Sequence, residues 1–182
     1  MAASFRRGRK GDLTVTFGID EHRVLQMMLG DILKLLQADD GVEEDPLAQA
    51  LGIGTATETP ADPALARLFP DGYVDDAEAS ADFRRYTEPG LRSAKRDALE
   101  TALATLGDEP HKIVLSPEEA QAWLGALNDT RLVLGERLGV VEDFEDLLAS
   151  LEEDDPRLPL LWVYDRLTFL QESLVQALWE GP

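Results

Sequence analysis

Leu13, Val15 and Phe17 alternate with Thr14 and Thr16, the period of a strand with one buried face. The turn residues Gly8-Arg9-Lys10-Gly11 precede them, so residues 2–18 predict a β-hairpin. At Asp20 the period changes. Leu25, Met28, Leu29, Ile32, Leu35 and Leu36 form one helical stripe, with Asp20 predicted as its cap and Met27 and Met28 placed on the core side. The acidic, proline-containing stretch 38–63 interrupts the pattern, with a short helical turn expected from Pro46 to Leu51. Its GIGTAT piece follows no strand and lacks the lysine of a phosphate loop, so it is not read as one. One or two helical turns follow from Pro63 to Phe69.

Residues 75–88 and 91–106 predict two helices broken at Glu88-Pro89-Gly90, because proline disfavours helix in the residue before it. In the second, Leu91, Ala94, Ala98, Leu99, Ala102 and Leu106 share a side. The run HKIVL, His111 to Leu115, reads as a third strand on the hairpin. Ser116-Pro117-Glu118-Glu119 then starts a helix that runs to about Leu138 and ends at Gly139, which assigns both glutamates to the helix start. A short helix is expected within Val141 to Leu151 and a long one from Pro159 to Trp179. The last carries a main stripe of Leu160, Val163, Leu167, Leu170, Leu174 and Leu178. Trp162 and Phe169 form a second apolar ridge, and with Trp179 they are candidates for a partner-facing surface. The fold class is mainly α (α+β): a helical bundle with a small antiparallel sheet, in one domain over residues 1–182.

Arg131 breaks the pattern of its helix. Leu124, Leu127, Leu134 and Leu138 fall on one stripe and Arg131 lands in its middle, with Asn128 at the edge and Asp129 and Glu136 opposite. A charge in a helix core requires a partner, and a guanidinium can hold a carboxylate with two hydrogen bonds. Glu88, Asp165 and Glu172 are the candidate counterions, and a buried ion pair fixing helix register is the reading adopted. The alternative is a polar pocket of Arg131, Asn128 and Gln171 that binds a small anion.

The chain has 182 residues, no cysteine, two histidines and a formal net charge of -19. Without thiols there is no disulfide, thiolate metal site or cysteine nucleophile. No triad, metal-ligand spacing or cofactor loop is visible, so no catalytic, metal or cofactor-binding residue is proposed. No apolar run is long enough to span a membrane, and the basic N-terminus lacks the apolar segment of a secretory signal, so the expected location is cytoplasmic. The charge opposes nucleic acid, and direct DNA binding is expected to be weak or absent. Arg84, Arg85, Arg92, Lys95 and Arg96 form the one mid-chain basic contact patch that could oppose this expectation, and Arg6, Arg7, Arg9 and Lys10 form another at the start.

The segments FRRYTEPGLRSAKRDAL, LSPEEAQAWLGALNDTRLVLGERLG and YDRLTFLQESLVQAL, in that order, resemble an actinobacterial domain-of-unknown-function family. Its members are described as AosR-type oxidative-stress transcriptional regulators. The resemblance covers nearly the whole chain. It implies a cytoplasmic, mainly helical regulator of transcription with no catalytic residues to carry over. It also implies a switch through two closely spaced cysteines, which this chain lacks. The expected function is therefore a transcription-associated regulator that works through protein contacts, with the transcription machinery as a candidate partner and without its own cysteine switch. A non-enzymatic adaptor unrelated to transcription is the alternative, and a homodimer is left open.

Overall fold

A computed structural model describes residues 3–8, 12–38, 57–140 and 144–179. The expected turn at Pro46 to Leu51, the GIGTAT piece up to Ala56, and Arg9, Lys10 and Gly11 of the hairpin turn lie outside the described residues. The described elements run β1 (Arg6–Arg7), β2 (Leu13–Thr16), α1 (Ile19–Ala38), α2 (Pro63–Leu68), α3 (Ala77–Leu106), β3 (Lys112–Leu115), α4 (Pro117–Leu138), α5 (Phe144–Ala149) and α6 (Leu158–Trp179). The protein is thus mainly helical with one small sheet.

That sheet is antiparallel in the order β1-β2-β3, with Leu13 opposite Leu115 and Val15 opposite Ile113. Period-two alternation puts all four on one face. They are buried there with Phe5 and Phe17. Trp123 of α4 fills the centre of this core. Phe17 stacks on it at 5.8 Å, Phe5 meets it edge-on at 5.6 Å, and its indole N–H donates to Thr105 Oγ1 of α3 at 2.7 Å. A fully buried indole needs such a partner, and here the bond ties α4 to α3 beneath the sheet.

The helix ends follow local chemistry. Asp62 caps α2, Asp76 caps α3, and Ser116 with Glu119 forms a reciprocal capping box on α4. Gly139 closes α4 in the left-handed conformation at φ 68°, a geometry that glycine adopts without strain. Asp20 is not the cap of α1. The helix begins at Ile19, with the Gly18 carbonyl accepting from the His22 amide at 2.8 Å, so Asp20 sits in the first turn. Met27 is 54% exposed rather than on the core stripe, whereas Met28 packs against the core. On α6 the buried set is Leu161, Leu167, Leu170, Leu174 and Ala177, and Leu160 faces outward.

The expected break at Glu88-Pro89-Gly90 is absent: α3 is one helix of 30 residues with Pro89 inside it. Proline removes the amide that would bond the Arg85 carbonyl and costs about 3 kcal/mol in a helix interior. What offsets this cost is a run of side chains across the proline. Arg84, Glu88 and Arg92 are spaced one turn apart on the same face and bind each other in sequence.

Candidate functional site

The charged cluster on α3 grows out of that helical spacing. Glu88 is buried, and its two carboxylate oxygens are divided between Arg84 Nη1 and Arg92 Nη2, the latter at 2.7 Å. Arg84, only 4% exposed, also donates to Asp71 Oδ1 at 2.7 Å and to the Phe69 carbonyl at 3.0 Å. Arg92 lies over the Phe69 ring at 4.4 Å. The cluster thereby fastens the segment after α2 to the middle of α3. Burial disfavours the Arg84 charge, but hydrogen bonds and attraction from Asp71 and Glu88 outweigh it and raise its pKa. Arg84 and the Thr59 hydroxyl hold the Asp71 carboxyl below its ordinary value.

The mid-chain basic patch therefore does not form as an outward surface. Arg84 is buried and Arg92 is ion-paired. Lys95 reaches across to α4, where its ammonium meets Asp129 Oδ1 at 2.7 Å. Asp129 is itself buried, although helical phase alone places it opposite the core. The reason is that α3 packs along that side of α4 and supplies the lysine. Arg85 and Arg96 are half-buried.

Arg131 does not form the expected ion pair either. It is half-buried and forms an ion pair with neither Glu88 nor Glu172. Glu88 belongs to Arg84 and Arg92, while Glu172 and Asp165 are exposed on α6. The Arg131 guanidinium instead lies 6.0 Å from the centre of the Tyr164 ring, and its buried Nε has no hydrogen-bond partner. A cation over an aromatic face is attracted by the ring quadrupole and keeps part of its hydration, which a buried carboxylate pair would not allow. Asn128 and Gln171 do meet, with Gln171 Nε2 3.5 Å from Asn128 Oδ1.

The apolar candidates on α6 are exposed: Trp162 by 65%, Phe169 by 44% and Trp179 by 86%. Trp162 stands at the edge of a groove of about 360 Å³ between the starts of α1 and α6. Leu25, Leu167 and Leu170 form its floor, and Asp20, Glu21 and Arg166 stand at its rim. Trp179 lines a separate hollow with Gln121, Leu124, Val175 and Leu178. Among the described residues, no group of three or more histidines or carboxylates could hold a metal ion, and no helix is long and apolar enough to cross a membrane.

These residues define a class of protein: a mainly helical domain whose mid-chain cations serve its own packing and whose last helix displays aromatic side chains. The chain belongs to the family described as a domain of unknown function, DUF2017, whose model matches residues 1–178. It is similar to the oxidative stress regulator AosR of Mycobacterium tuberculosis and to the protein of that name in Mycobacterium bovis. Each is 34% identical over 173 residues, which cover 87% of this chain and 78% of the relative. No solved structure matches it.

Proposed function

We propose that this chain is a non-enzymatic regulator of the oxidative-stress response, acting on transcription through contacts with a partner protein and without a cysteine switch of its own. The names of its relatives support the regulatory part. The observation that carries the mode of action is the inward commitment of Arg84, Arg92 and Lys95 to Glu88, Asp71 and Asp129. A protein that reads DNA gains affinity by presenting such cations to phosphate. Here the central ones are engaged by carboxylates of the same chain, in a protein whose formal net charge is -19. Trp162 and Phe169, in contrast, are turned outward, and aromatic side chains are the usual anchors of protein interfaces.

Two measurements test this reading. Deleting the chain from its host should alter the transcripts that respond to peroxide, and the wild-type chain should restore them. The purified chain should shift promoter DNA no more tightly than roughly micromolar, and without sequence preference, at physiological salt. Unaltered transcripts in the deletion strain, or tight and sequence-selective binding by the isolated chain, would overturn it.

A further inference from the structure

We propose that the groove between α1 and α6 is a docking site for a basic amphipathic helix of a partner protein, with Trp162 as its central anchor. The inference rests on the reading that the chain acts through protein contacts, and it specifies the surface and the chemistry of what binds there.

The groove arises because α1 and α6 both pack on α4 and leave a furrow between their N-terminal halves. Its α6 wall extends over the nine residues from Trp162 to Leu170, about 12 Å of helix axis. That length accepts two turns of a second helix, enough for apolar anchors spaced i, i+4 and i+7. Val24, Leu25, Val163, Leu167 and Leu170 supply an apolar bed, and Trp162 stands beside it largely exposed. A large exposed indole next to an apolar furrow is the arrangement that marks a contact surface.

Charge selects the occupant. The cation on the lining, Arg166, is already engaged: it donates from Nε to Glu21 Oε1 at 2.5 Å and from Nη2 to the Ala3 carbonyl, and it lies 4.8 Å from the Phe169 ring centre. The carboxylates on the lining are Asp20 and Glu21, both from α1, and with Glu21 paired to Arg166 the exposed Asp20 leaves an unneutralised negative charge at the rim. A helix with lysine or arginine flanking its apolar stripe places a cation beside Asp20 on a chain of net charge -19, whereas an acidic helix is repelled. A second copy of this chain carries the same charge of -19 and meets the same repulsion.

The test uses the full chain and two synthetic helical peptides with the same apolar residues at i, i+4 and i+7. One is flanked by lysine and arginine, the other by glutamate. At about 0.15 M salt, fluorescence anisotropy should detect binding of the basic peptide and none of the acidic one. Trp162→Ala should weaken that binding by about tenfold or more, and Asp20→Asn by several-fold. Trp179→Ala and Glu118→Gln remove an exposed indole and an exposed carboxylate elsewhere, and they should leave it unchanged. On the wild-type chain, the methyl resonances of Val24 and Val163 should shift with the basic peptide, a measurement independent of any variant's folding.

Equal binding of the two peptides, no binding of either, or equal effects of Trp162→Ala and Trp179→Ala would each overturn the proposal. So would self-association of the wild-type chain that Trp162→Ala abolishes, since the occupant would then be a second copy. A strain carrying Trp162→Ala with normal peroxide-responsive transcripts overturns the groove and leaves the regulatory reading standing. Transcripts indifferent to deletion of the whole chain overturn the regulatory reading, whatever the peptides do.

Discussion

Replacing Glu88 by glutamine tests whether the α3 charge cluster holds the helix together across its proline. The side chain keeps its shape and loses its charge. Glutamine has one acceptor oxygen, so at least one of Arg84 and Arg92 loses its bond, and both lose their shared anion. Removing one member of a buried ion pair costs roughly 3–5 kcal/mol, because the remaining charge is left uncompensated. Arg84 keeps Asp71 and the Phe69 carbonyl, which places the expected loss near the lower end, about 3 kcal/mol. For a chain of this size that is a fall of roughly 6–12 °C in melting temperature. Urea unfolding followed by helical circular dichroism measures it, and an unchanged slope with denaturant would show that the native state stays compact. The triple replacement Arg84→Met, Glu88→Leu and Arg92→Met should recover much of the loss, since an apolar cluster of similar volume leaves no buried charge unpaired, and Asp71, which loses Arg84, is exposed and keeps Thr59. If Glu88→Gln alone stays within about 1 kcal/mol of wild type, the cluster behaves as a solvated surface network and the account of α3 fails.

Three other outcomes are expected. Pro89→Ala should raise stability by about 1–2 kcal/mol, because the restored amide bonds the Arg85 carbonyl while the unfolded chain regains some freedom; a loss of stability would mean that the helix depends on the proline. Asp71 and Asp62 have depressed pKa values: Asp71 through Arg84 and then Thr59, and Asp62 because the Ala64 amide and Arg137 outweigh the opposing effect of burial. A carboxyl depressed in the folded state contributes stability that is present above its unfolded value of about 3.8 and lost as pH falls through the folded one. Asp71→Asn should therefore flatten the acid limb of the stability curve below about pH 4, and an unchanged limb would refute the assignment. Peroxide at doses that oxidise a reactive thiol should leave circular dichroism, melting temperature and oligomeric state unaltered. Met27 should oxidise before Met28 as judged by mass spectrometry, because Met27 is exposed while Met28 packs against the core. A rapid change reversed by reductant would overturn that.

Much of the fold was legible because the strongest signals were local. The alternation from Leu13 to Phe17, the strand before Ser116, the capping box and Gly139 each act through a few neighbouring residues. Each stands where expected. The break at Pro89 was misplaced because proline's cost is local, while its compensation comes from Arg84 and Arg92, a turn to either side of Glu88 and tied down by Phe69 and Asp71. A signal did exist in the sequence: Arg84, Glu88 and Arg92 recur every four residues with alternating charge. It marks a stabilised helix face as readily as it marks a basic patch. Counting the arginines without the glutamate between them produced the patch.

The placement of Arg131 shows where such reading stops. Helical phase put it in the middle of the leucine stripe of α4, because phase is a property of one helix, whereas the structure leaves it half-buried beside Tyr164 of α6. Which residue it meets depends on the register of α6 against α4, and no short-range pattern encodes that. Gly135 decides it in part: a Cβ there would lie 3.1 Å from the Tyr164 ring, so the glycine lets that ring pack close to α4. The ring so placed is the one beneath Arg131. The same logic applies to Lys95 and Asp129, which belong to different helices and find each other only once α3 lies along α4. Charges in this protein were easy to count and hard to assign, since burial of a carboxylate such as Asp129 is set by a lysine 34 positions away. The -19 total therefore understates the division of labour: much of the mid-chain basic cluster is engaged inside the fold, while Asp20 stands exposed at the rim of the groove beside Trp162.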